Sequence, residues 1–218
     1  QILEGSLAGD FLSAKGLRPA AFSSYLQRRV NHEVMMRGTF NNAHLQNEMT
    51  PHCQGGWTVH QPSGETMTIF DAHLRYAGEA RALVVVAGKE YGTGSSRDWA
   101  AKGPHLLGVQ AIIAEGFERI HRCNLVGMGI LPLQFQNGET RKLLGLEGTE
   151  SVDITGLGNR ITVNQTLAVR FTRPDGTTFE VGVLCRLDTV REIAWFEAGG
   201  VMPFALEGLV TATAEQMT

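Results

Sequence analysis

The fold of this chain is decided by the stretch Leu83-Val84-Val85-Val86-Ala87-Gly88-Lys89-Glu90-Tyr91-Gly92-Thr93-Gly94-Ser95-Ser96-Arg97-Asp98-Trp99-Ala100-Ala101-Lys102-Gly103-Pro104. It opens with an apolar run, Leu83–Ala87, which is rich in β-branched residues and has the length of a buried strand. A glycine-containing turn follows. After the turn, the pattern predicts a helix that Gly103-Pro104 stops. The stretch therefore predicts a strand, a glycine turn and a helix.

The turn carries groups that suit a negatively charged ligand. Gly92 and Gly94 allow positive φ and let a ligand approach the backbone. Ser95 or Ser96 is expected to cap the helix and to leave first-turn N–H groups free for a carboxylate or phosphate. Arg97 adds a guanidinium that can pair bidentately with a carboxylate. We refer to residues 92–97 as the glycine turn.

Two nucleotide-binding patterns are missing from the glycine turn. A dinucleotide fingerprint requires a third glycine and a later acidic residue, and a Walker A loop requires Gly-Lys-Ser/Thr. Neither spacing is present. A small carboxylate ligand remains, while an ordinary capped strand-to-helix turn is the plain structural alternative.

The chain after the glycine turn continues with a strand and a helix and then becomes rich in strands. Val109–Ala114 predicts a second buried strand, and Glu118–Leu125 predicts a helix on which His121 is expected to be a hydrogen-bonded structural residue. Further strands are predicted at Ser151–Thr155, Thr162-Val163, Thr166–Phe171 and Thr178–Val183, with a last helix at Asp188–Glu197. Parallel α/β elements followed by hairpins predict an α/β fold with mixed sheets.

The part before the glycine turn is predicted to be less regular. Phe22–Arg29 is expected to be helical, and Trp57–Ile69 is expected to form two short strands around a Pro62–Glu65 turn. A helix is predicted at about Asp71–Tyr76. His52, His60 and His73 share no metal-binding pattern and are expected to be loop or surface residues. We predict a single domain over residues 1–218, with an irregular and helical leading segment at 1–50 and the core at 51–218.

Composition limits the classes of partner. The chain has 218 residues, of which 43% are apolar, which is enough for one substantial domain. Its net charge of −3 provides no excess of positive charge that would favour binding to nucleic acid or to anionic membranes. The sequence shows no apolar run of membrane-spanning length, so we expect a soluble protein without a membrane partner. Cys53, Cys123 and Cys185 lack Cys-x-x-Cys spacing, which favours a reducing compartment and argues against a metal or cluster site within this chain.

Several stretches of the chain resemble one known family. They are Asn31–Phe40, Tyr91–Gly103, Ala111–Arg122 and Asn124–Leu133, with shorter matches at Cys185–Thr189 and Gly199-Gly200. Together they resemble the C-terminal swivelling domain (domain 4) of the aconitases, closest to the bacterial aconitase A and cytosolic aconitase branch. The resemblance implies a layered β/β/α domain. Because the chain opens at Gln1, it is expected to be a processed or recombinant product, or a piece of a longer chain.

The resemblance also implies roles for individual residues. It assigns the catalytic base to Ser95 and contacts with substrate carboxylates to Ser96 and Arg97. Lys15 stands where the family has a carboxylate-binding arginine, and a lysine keeps the charge but loses the planar fork. A solvated surface lysine is the alternative for Lys15.

The implied activity is the interconversion of citrate and isocitrate by a hydro-lyase. In that family a [4Fe–4S] cluster is held by three cysteines of other domains, so this chain is expected to hold no cluster and to be inactive alone. The expected partners are a tricarboxylate and the cluster-bearing domains, in the same chain or a separate one, in the cytoplasm. Three alternatives are a 2-methylcitrate or 2-methylisocitrate dehydratase domain, a separate small subunit of an isopropylmalate-isomerase type, and an RNA-binding regulatory role, which the net charge does not support.

Overall fold

The computed structural model describes residues 1–94, 98–158 and 160–216. The chain divides into two compact units, Gln1–Arg81 and Ala82–Thr218, which are described separately below. The single family domain over residues 1–218 stays a prediction.

The first unit combines three α-helices with one hairpin. Its elements are α1 (Leu7–Ala14), a 3-10 turn (Pro19–Ala21), α2 (His32–Gly38), β1 (Trp57–His60), β2 (Glu65–Thr68) and α3 (Ile69–Gly78). The strands β1 and β2 pair in antiparallel fashion, which confirms the predicted hairpin. The buried apolar side chains of α1 and α2 form a small core with the chain around them, at Ile2, Ala8, Leu12, Phe22 and Val34.

Polar side chains start each helix of the first unit. The Ser6 hydroxyl accepts from the N–H of Gly9 at 3.1 Å, and the Asn31 side chain accepts from the N–H of Val34 at 3.3 Å. Thr68 does the same for α3. Each bond satisfies a donor that the helix itself cannot pair, so the sequence positions of these residues set where the helices begin.

Two predictions for the first unit are wrong. Residues 22–29 form turns instead of a helix, because Ser23 adopts a φ of +68°, outside the right-handed helical region. His60 is buried, not at the surface: its Nδ1 lies 2.8 Å from the Ser63 hydroxyl, and its ring packs on Tyr76 with centroids 4.5 Å apart.

The second unit is built on a mixed sheet of six strands in the order β3-β4-β5-β8-β7-β6. The strands are β3 (Leu83–Ala87), β4 (Val109–Ala114), β5 (Leu131–Phe135), β6 (Ser151–Thr155), β7 (Thr166–Thr172) and β8 (Thr178–Cys185). The first three are parallel, and the pairs β5–β8, β8–β7 and β7–β6 are antiparallel. The predicted α/β fold with a mixed sheet is confirmed.

Among the described residues of this unit, four helices accompany the sheet: α4 (Trp99–Leu106), α5 (Arg119–Gly127), α6 (Val190–Glu197) and α7 (Val201–Gln216). Alternate residues of β4 enter different apolar clusters, with Ile113 among the side chains of β5, β7 and β8 and Ile112 among those of α4 and α5. A strand that packs on both faces reads as a continuous apolar run, which is why β4 and the partly buried β3 were predictable from sequence.

Three local predictions for the second unit need correction. The helix α4 runs through Pro104 to Leu106 and does not stop at Gly103-Pro104. Gly103 lacks the Cβ that would clash with the proline ring, and both residues are buried, so packing holds them in the helix. Thr162-Val163 lies in a turn where the Thr162 N–H donates to the Gln165 side chain at 3.0 Å. The helix α7 was not predicted.

Backbone approaches backbone closely where the end of α5 meets the junction of α6 and α7. A Cβ at Gly129 would lie 2.6 Å from the carbonyl oxygen of Gly199, and one at Gly200 would lie 2.8 Å from that of Gly127. Both distances are too short for a side chain. Glycine at these positions lets the two segments approach.

Within residues 1–94, 98–158 and 160–216, no single helix has the length and apolar character to cross a membrane. Taken together, α6 and residues 201–211 of α7 have the length and apolar composition of a membrane span, but the two helices are bent by 85° relative to each other.

Candidate functional site

The glycine turn follows β3 at the carboxyl end of the parallel half of the sheet, where ligands bind in open α/β sheets. Its start is fixed by pairing with the segment after β4. The Tyr91 N–H donates to the Gly116 carbonyl, and the Glu118 N–H donates to the Tyr91 carbonyl, each at 2.9 Å. Gly92 and Gly94 have φ of +94° and +103°, so both adopt the conformation that the sequence predicted for them.

The predicted site residues Ser95, Ser96 and Arg97 lie outside the described residues, and their roles stay predictions. The helix that follows is capped by Asp98, whose carboxylate accepts from the Trp99 N–H at 3.0 Å. The prediction that Ser95 or Ser96 caps this helix concerns residues outside the described part of the chain and stays a prediction.

His121, near the start of α5, packs directly against Gly92. A Cβ at Gly92 would lie 2.2 Å from both Cγ and Cδ2 of the imidazole, so only glycine fits above the ring. The Tyr91 ring packs on the same imidazole, with centroids 5.3 Å apart. The sequence does contain this histidine, but no local pattern indicates that it lies against the turn, since α5 begins 27 residues after Gly92.

The His121 side chain is only 2% exposed, and neither ring nitrogen has a hydrogen-bond partner within the described part of the chain. The expectation of a hydrogen-bonded structural histidine is wrong. Burial lowers the pKa of the imidazole, and the Glu118 carboxylate opposes this only in part. The ring is therefore held in its neutral form, with one donor and one acceptor.

Glu118 is the N-cap of α5. Its carboxylate accepts from the backbone N–H of His121 at 2.7 Å. That bond, followed by one from the Ile120 N–H, lowers the pKa of Glu118. The cap fixes the first turn of the helix and with it the position of the imidazole.

Lys15 lies at the C-terminal end of α1 in the first unit and is exposed. Its Nζ lies 5.7 Å from the centroid of the Phe11 ring. This side chain is thus available to solvent, in keeping with either of the roles that the sequence left open. Its contact with a substrate stays a prediction.

Arg37 is a packed residue that the sequence did not assign. Its guanidinium lies 4.2 Å from the Phe11 ring centroid and 4.3 Å from that of Phe70. Its Nη1 donates to the carbonyl and to the carboxylate of Glu33, at 2.7 and 2.6 Å. The Glu33-x-x-x-Arg37 spacing was the signal that could have indicated this pair.

The cysteines do not fit the ligand set of an iron–sulfur cluster. Cys53 belongs to the first unit, Cys123 lies on α5 and Cys185 ends β8. Burial raises the pKa of the Cys185 thiol, which disfavours the thiolate that a metal requires. Across the part of the chain that the structure describes, no three His, Cys, Asp or Glu side chains are grouped to hold a metal ion.

Comparison with known proteins identifies the family of the chain. The sequence profile of the aconitase C-terminal domain matches residues 8–138. The chain therefore belongs to the aconitase C-terminal domain family, as its motifs indicated.

Similar full-length proteins include three bacterial aconitate hydratases A. The one from Pseudomonas aeruginosa is 55% identical over 205 residues, which is 94% of this chain and 22% of that protein. The one from Escherichia coli is 50% identical over 94% of the chain and 23% of that protein. The Thermus thermophilus protein is 48% identical over 92% and 22%. The chain thus spans less than a quarter of the length of these relatives.

Among solved structures, the 3-isopropylmalate dehydratase of Methanocaldococcus jannaschii aligns with a TM-score of 0.41 and 16% identity, over 71% of this chain and 87% of that one. A likeness this weak carries no argument about the chain.

Proposed function

We propose that this chain is the substrate-binding and catalytic-base domain of an aconitase-type hydro-lyase that interconverts citrate and isocitrate through cis-aconitate. One observation carries the proposal: identity with aconitate hydratase A of Pseudomonas aeruginosa reaches 55% across 94% of the chain. The positive φ of Gly92 and Gly94, at the carboxyl end of a parallel strand, supports a ligand site at this turn.

The chemistry of the reaction matches the residue types at the turn. Dehydrating a β-hydroxy acid requires a base for the C–H beside a carboxylate, cations for the carboxylates and help for the departing hydroxide. In the proposal, Ser95 is the base, and the guanidinium of Arg97 stabilises its ionised form. Ser96, Arg97 and Lys15 bind substrate carboxylates.

The Lewis acid of the proposal is a [4Fe–4S] cluster held by other domains, since the described residues of this chain do not fit one. When bound, it would assist the departure of the hydroxyl group. The chain's own part is to bind the carboxylates and to hold the base. We place the complete protein in the cytoplasm, with the cluster-bearing domains as partners in the same chain or in a separate one, and we find no observation that favours RNA.

The decisive experiment replaces Ser95 with alanine in the full-length, cluster-loaded protein. We expect kcat for citrate to fall by about 10²–10⁴-fold, since that is the usual contribution of a positioned base. Citrate should still bind, because the hydroxyl is not the main carboxylate contact. Thr93→Ala, an exposed hydroxyl in the same turn, is the matched control and should leave kcat within about twofold. Unimpaired turnover by Ser95→Ala would remove the base from the proposal.

A substrate panel tests the alternatives in the same protein. Citrate, 2-methylcitrate and 3-isopropylmalate are compared for the wild type and for Lys15→Arg. We expect citrate to be preferred. The planar guanidinium introduced by Lys15→Arg should lower KM for citrate. Preference for 2-methylcitrate or 3-isopropylmalate would favour the corresponding alternative. If no KM changes, Lys15 is a surface residue only.

A further inference from the structure

The turn that follows β5 carries Asn137-Gly138, which is the one Asn-Gly pair in the sequence. Both residues are exposed, and their φ values are +55° and +77°. A hydrogen bond closes the turn around them, from the N–H of Glu139 to the carbonyl of Gln136 at 2.9 Å. The pair therefore occupies the two central positions of a tight turn, where asparagine and glycine tolerate a left-handed backbone.

Hydrogen bonding leaves the peptide unit between Asn137 and Gly138 unrestrained in the described part of the chain. The N–H of Gly138, the carbonyl of Asn137 and the side-chain amide of Asn137 have no partner there. A Cβ built at Gly138 would meet no atom within 4 Å. This peptide unit is thus free to rotate without breaking the hydrogen bond that closes the turn, and the space around it is open.

We propose that Asn137 is a site of spontaneous chemical modification, at which the side-chain amide becomes a carboxylate through a cyclic imide. The backbone nitrogen of Gly138 loses its proton to solvent and attacks Cγ of Asn137, which forms a bond between these two atoms. The Cγ–Nδ2 bond then breaks, and the amide nitrogen leaves as ammonia after it takes a proton from solvent. This inference is independent of the proposed function.

Water opens the imide ring in one of two ways. Attack at Cγ of Asn137 breaks its bond to the Gly138 nitrogen and gives aspartate, whereas attack at the main-chain carbonyl carbon leaves the chain running through Cγ and gives isoaspartate. Each product adds a negative charge, and isoaspartate also lengthens the main chain by one carbon. The strand before this turn, β5, lies between β4 and β8 and ends at the buried Phe135. The modification therefore acts on the end of a central strand.

Asn164 provides a comparison within the same unit. It is also exposed, and its φ of +53° is close to that of Asn137. The residue after it is Gln165, whose N–H donates to the Thr162 carbonyl at 3.3 Å and whose side chain donates to the Gly156 carbonyl at 2.8 Å. The attacking nitrogen is thus occupied at Asn164, and the side chain that follows is held in place. Ring closure there requires these bonds to break.

The test ages the full-length protein in mildly alkaline buffer and measures the conversion of every asparagine by peptide mass spectrometry. We expect conversion at Asn137 to be at least about tenfold faster than at Asn164, which corresponds to a barrier lower by about 1.4 kcal/mol. The rate should rise with pH, because the attacking nitrogen must lose its proton. Isoaspartate should be present at position 137, since direct hydrolysis of the side-chain amide yields aspartate alone.

Gly138→Ala is the matched variant, because it keeps Asn137 and adds a Cβ to the residue that attacks. It should slow the conversion by about tenfold, since the Cβ restricts the rotation that ring closure needs. Circular dichroism verifies that the variant folds, and the comparison of Asn137 with Asn164 in the wild type needs no variant.

Three results would each overturn the inference. They are conversion of Asn137 no faster than that of Asn164, formation of aspartate without isoaspartate at position 137, and wild-type conversion in a folded Gly138→Ala variant. A full-length protein without activity on citrate would instead refute the proposed function and leave the conversion of Asn137 unaffected.

Discussion

The guanidinium of Arg122 and the carboxylate of Glu192 form a two-pronged ion pair between α5 and α6, with Nη2–Oε1 at 2.7 Å and Nη1–Oε2 at 3.1 Å. Both residues are buried. Both side chains also form hydrogen bonds with the backbone. Arg122 donates to the Arg186 carbonyl at 2.8 Å, and Glu192 accepts from the Asp188 N–H at 2.7 Å. The pair therefore joins α5, α6 and the segment after β8.

Breaking this pair should destabilise the second unit strongly. We expect Glu192→Ala to lower the free energy of unfolding by about 3 kcal/mol, because it removes the two-pronged partner of the buried Arg122 and leaves only the Asp188 carboxylate, 3.3 Å from its Nε. Replacing both residues, as Arg122→Met with Glu192→Leu, should recover much of the loss. Urea denaturation measures both changes. Glu180→Ala, which removes a half-exposed partner of Arg170 at 3.6 Å, is the control and should cost less than about 1 kcal/mol. Equal costs for Glu192→Ala and Glu180→Ala would contradict this account.

The two glycines of the turn should respond differently to alanine. Both have positive φ, so backbone strain should make each alanine variant less stable by about 1–2 kcal/mol. A Cβ at Gly94 meets nothing within 4 Å, whereas one at Gly92 overlaps the His121 ring. Gly92→Ala should therefore cost about 1–3 kcal/mol more than Gly94→Ala, as overpacking does. Thermal unfolding of the two variants checks the difference, and equal Tm values would show that His121 is not under Gly92.

Stability should depend on pH through His121. Its pKa is lowered in the folded protein from the ordinary value of 6.5, mainly by burial, and the partly exposed Glu118 is the charged group that opposes the shift. Below pH 6.5 the unfolded chain takes up a proton that the folded chain refuses. Stability is thus lost as pH falls from about 6.5 through the folded pKa, with no such loss above that window. The unfolding free energy of the wild type minus that of His121→Phe should be constant at high pH and fall toward pH 5, because only the wild type loses stability there. A pH-independent difference would contradict the burial of the ring.

Arg37 should not be replaceable by lysine in the first unit. Its planar guanidinium lies against two phenyl rings, and an ammonium group cannot stack in the same way. We expect Arg37→Lys to cost about 1–2 kcal/mol, in line with two desolvated cation–π contacts. Arg191→Lys, which alters an exposed arginine 5.7 Å from the Trp195 ring, should change stability by less than about 0.5 kcal/mol. Similar effects in denaturation experiments would mean that the Arg37 contacts are not stabilising.

The sequence predicted those elements whose signal is local. The strands β3 and β4 were predictable because β-branched runs buried on both faces stand out. The β1–β2 hairpin was predictable from its turn residues, and α6 from its amphipathic pattern. The α4 helix was predicted too short because Pro104 usually ends a helix, whereas here tertiary packing keeps it within one.

The features that sequence could not supply depend on contacts between distant residues. The approach of His121 to Gly92 joins a helix to a turn across an intervening strand, and nothing near either residue indicates it. The Arg122–Glu192 pair spans 70 positions. For the proposed site, the resemblance indicated Ser95, Ser96, Arg97 and Lys15, while the contact between His121 and Gly92 emerged only from the geometry.

The glycine contact between the end of α5 and the start of α7 bears on protein engineering. At Gly129 and Gly200, main chain touches main chain, and any side chain would collide with a carbonyl oxygen. Randomising these two codons in a library would return almost only glycine among folded clones. Diversity meant to alter α7 should instead be placed at residues 202–211, where side chains are exposed and selection for folding is weak.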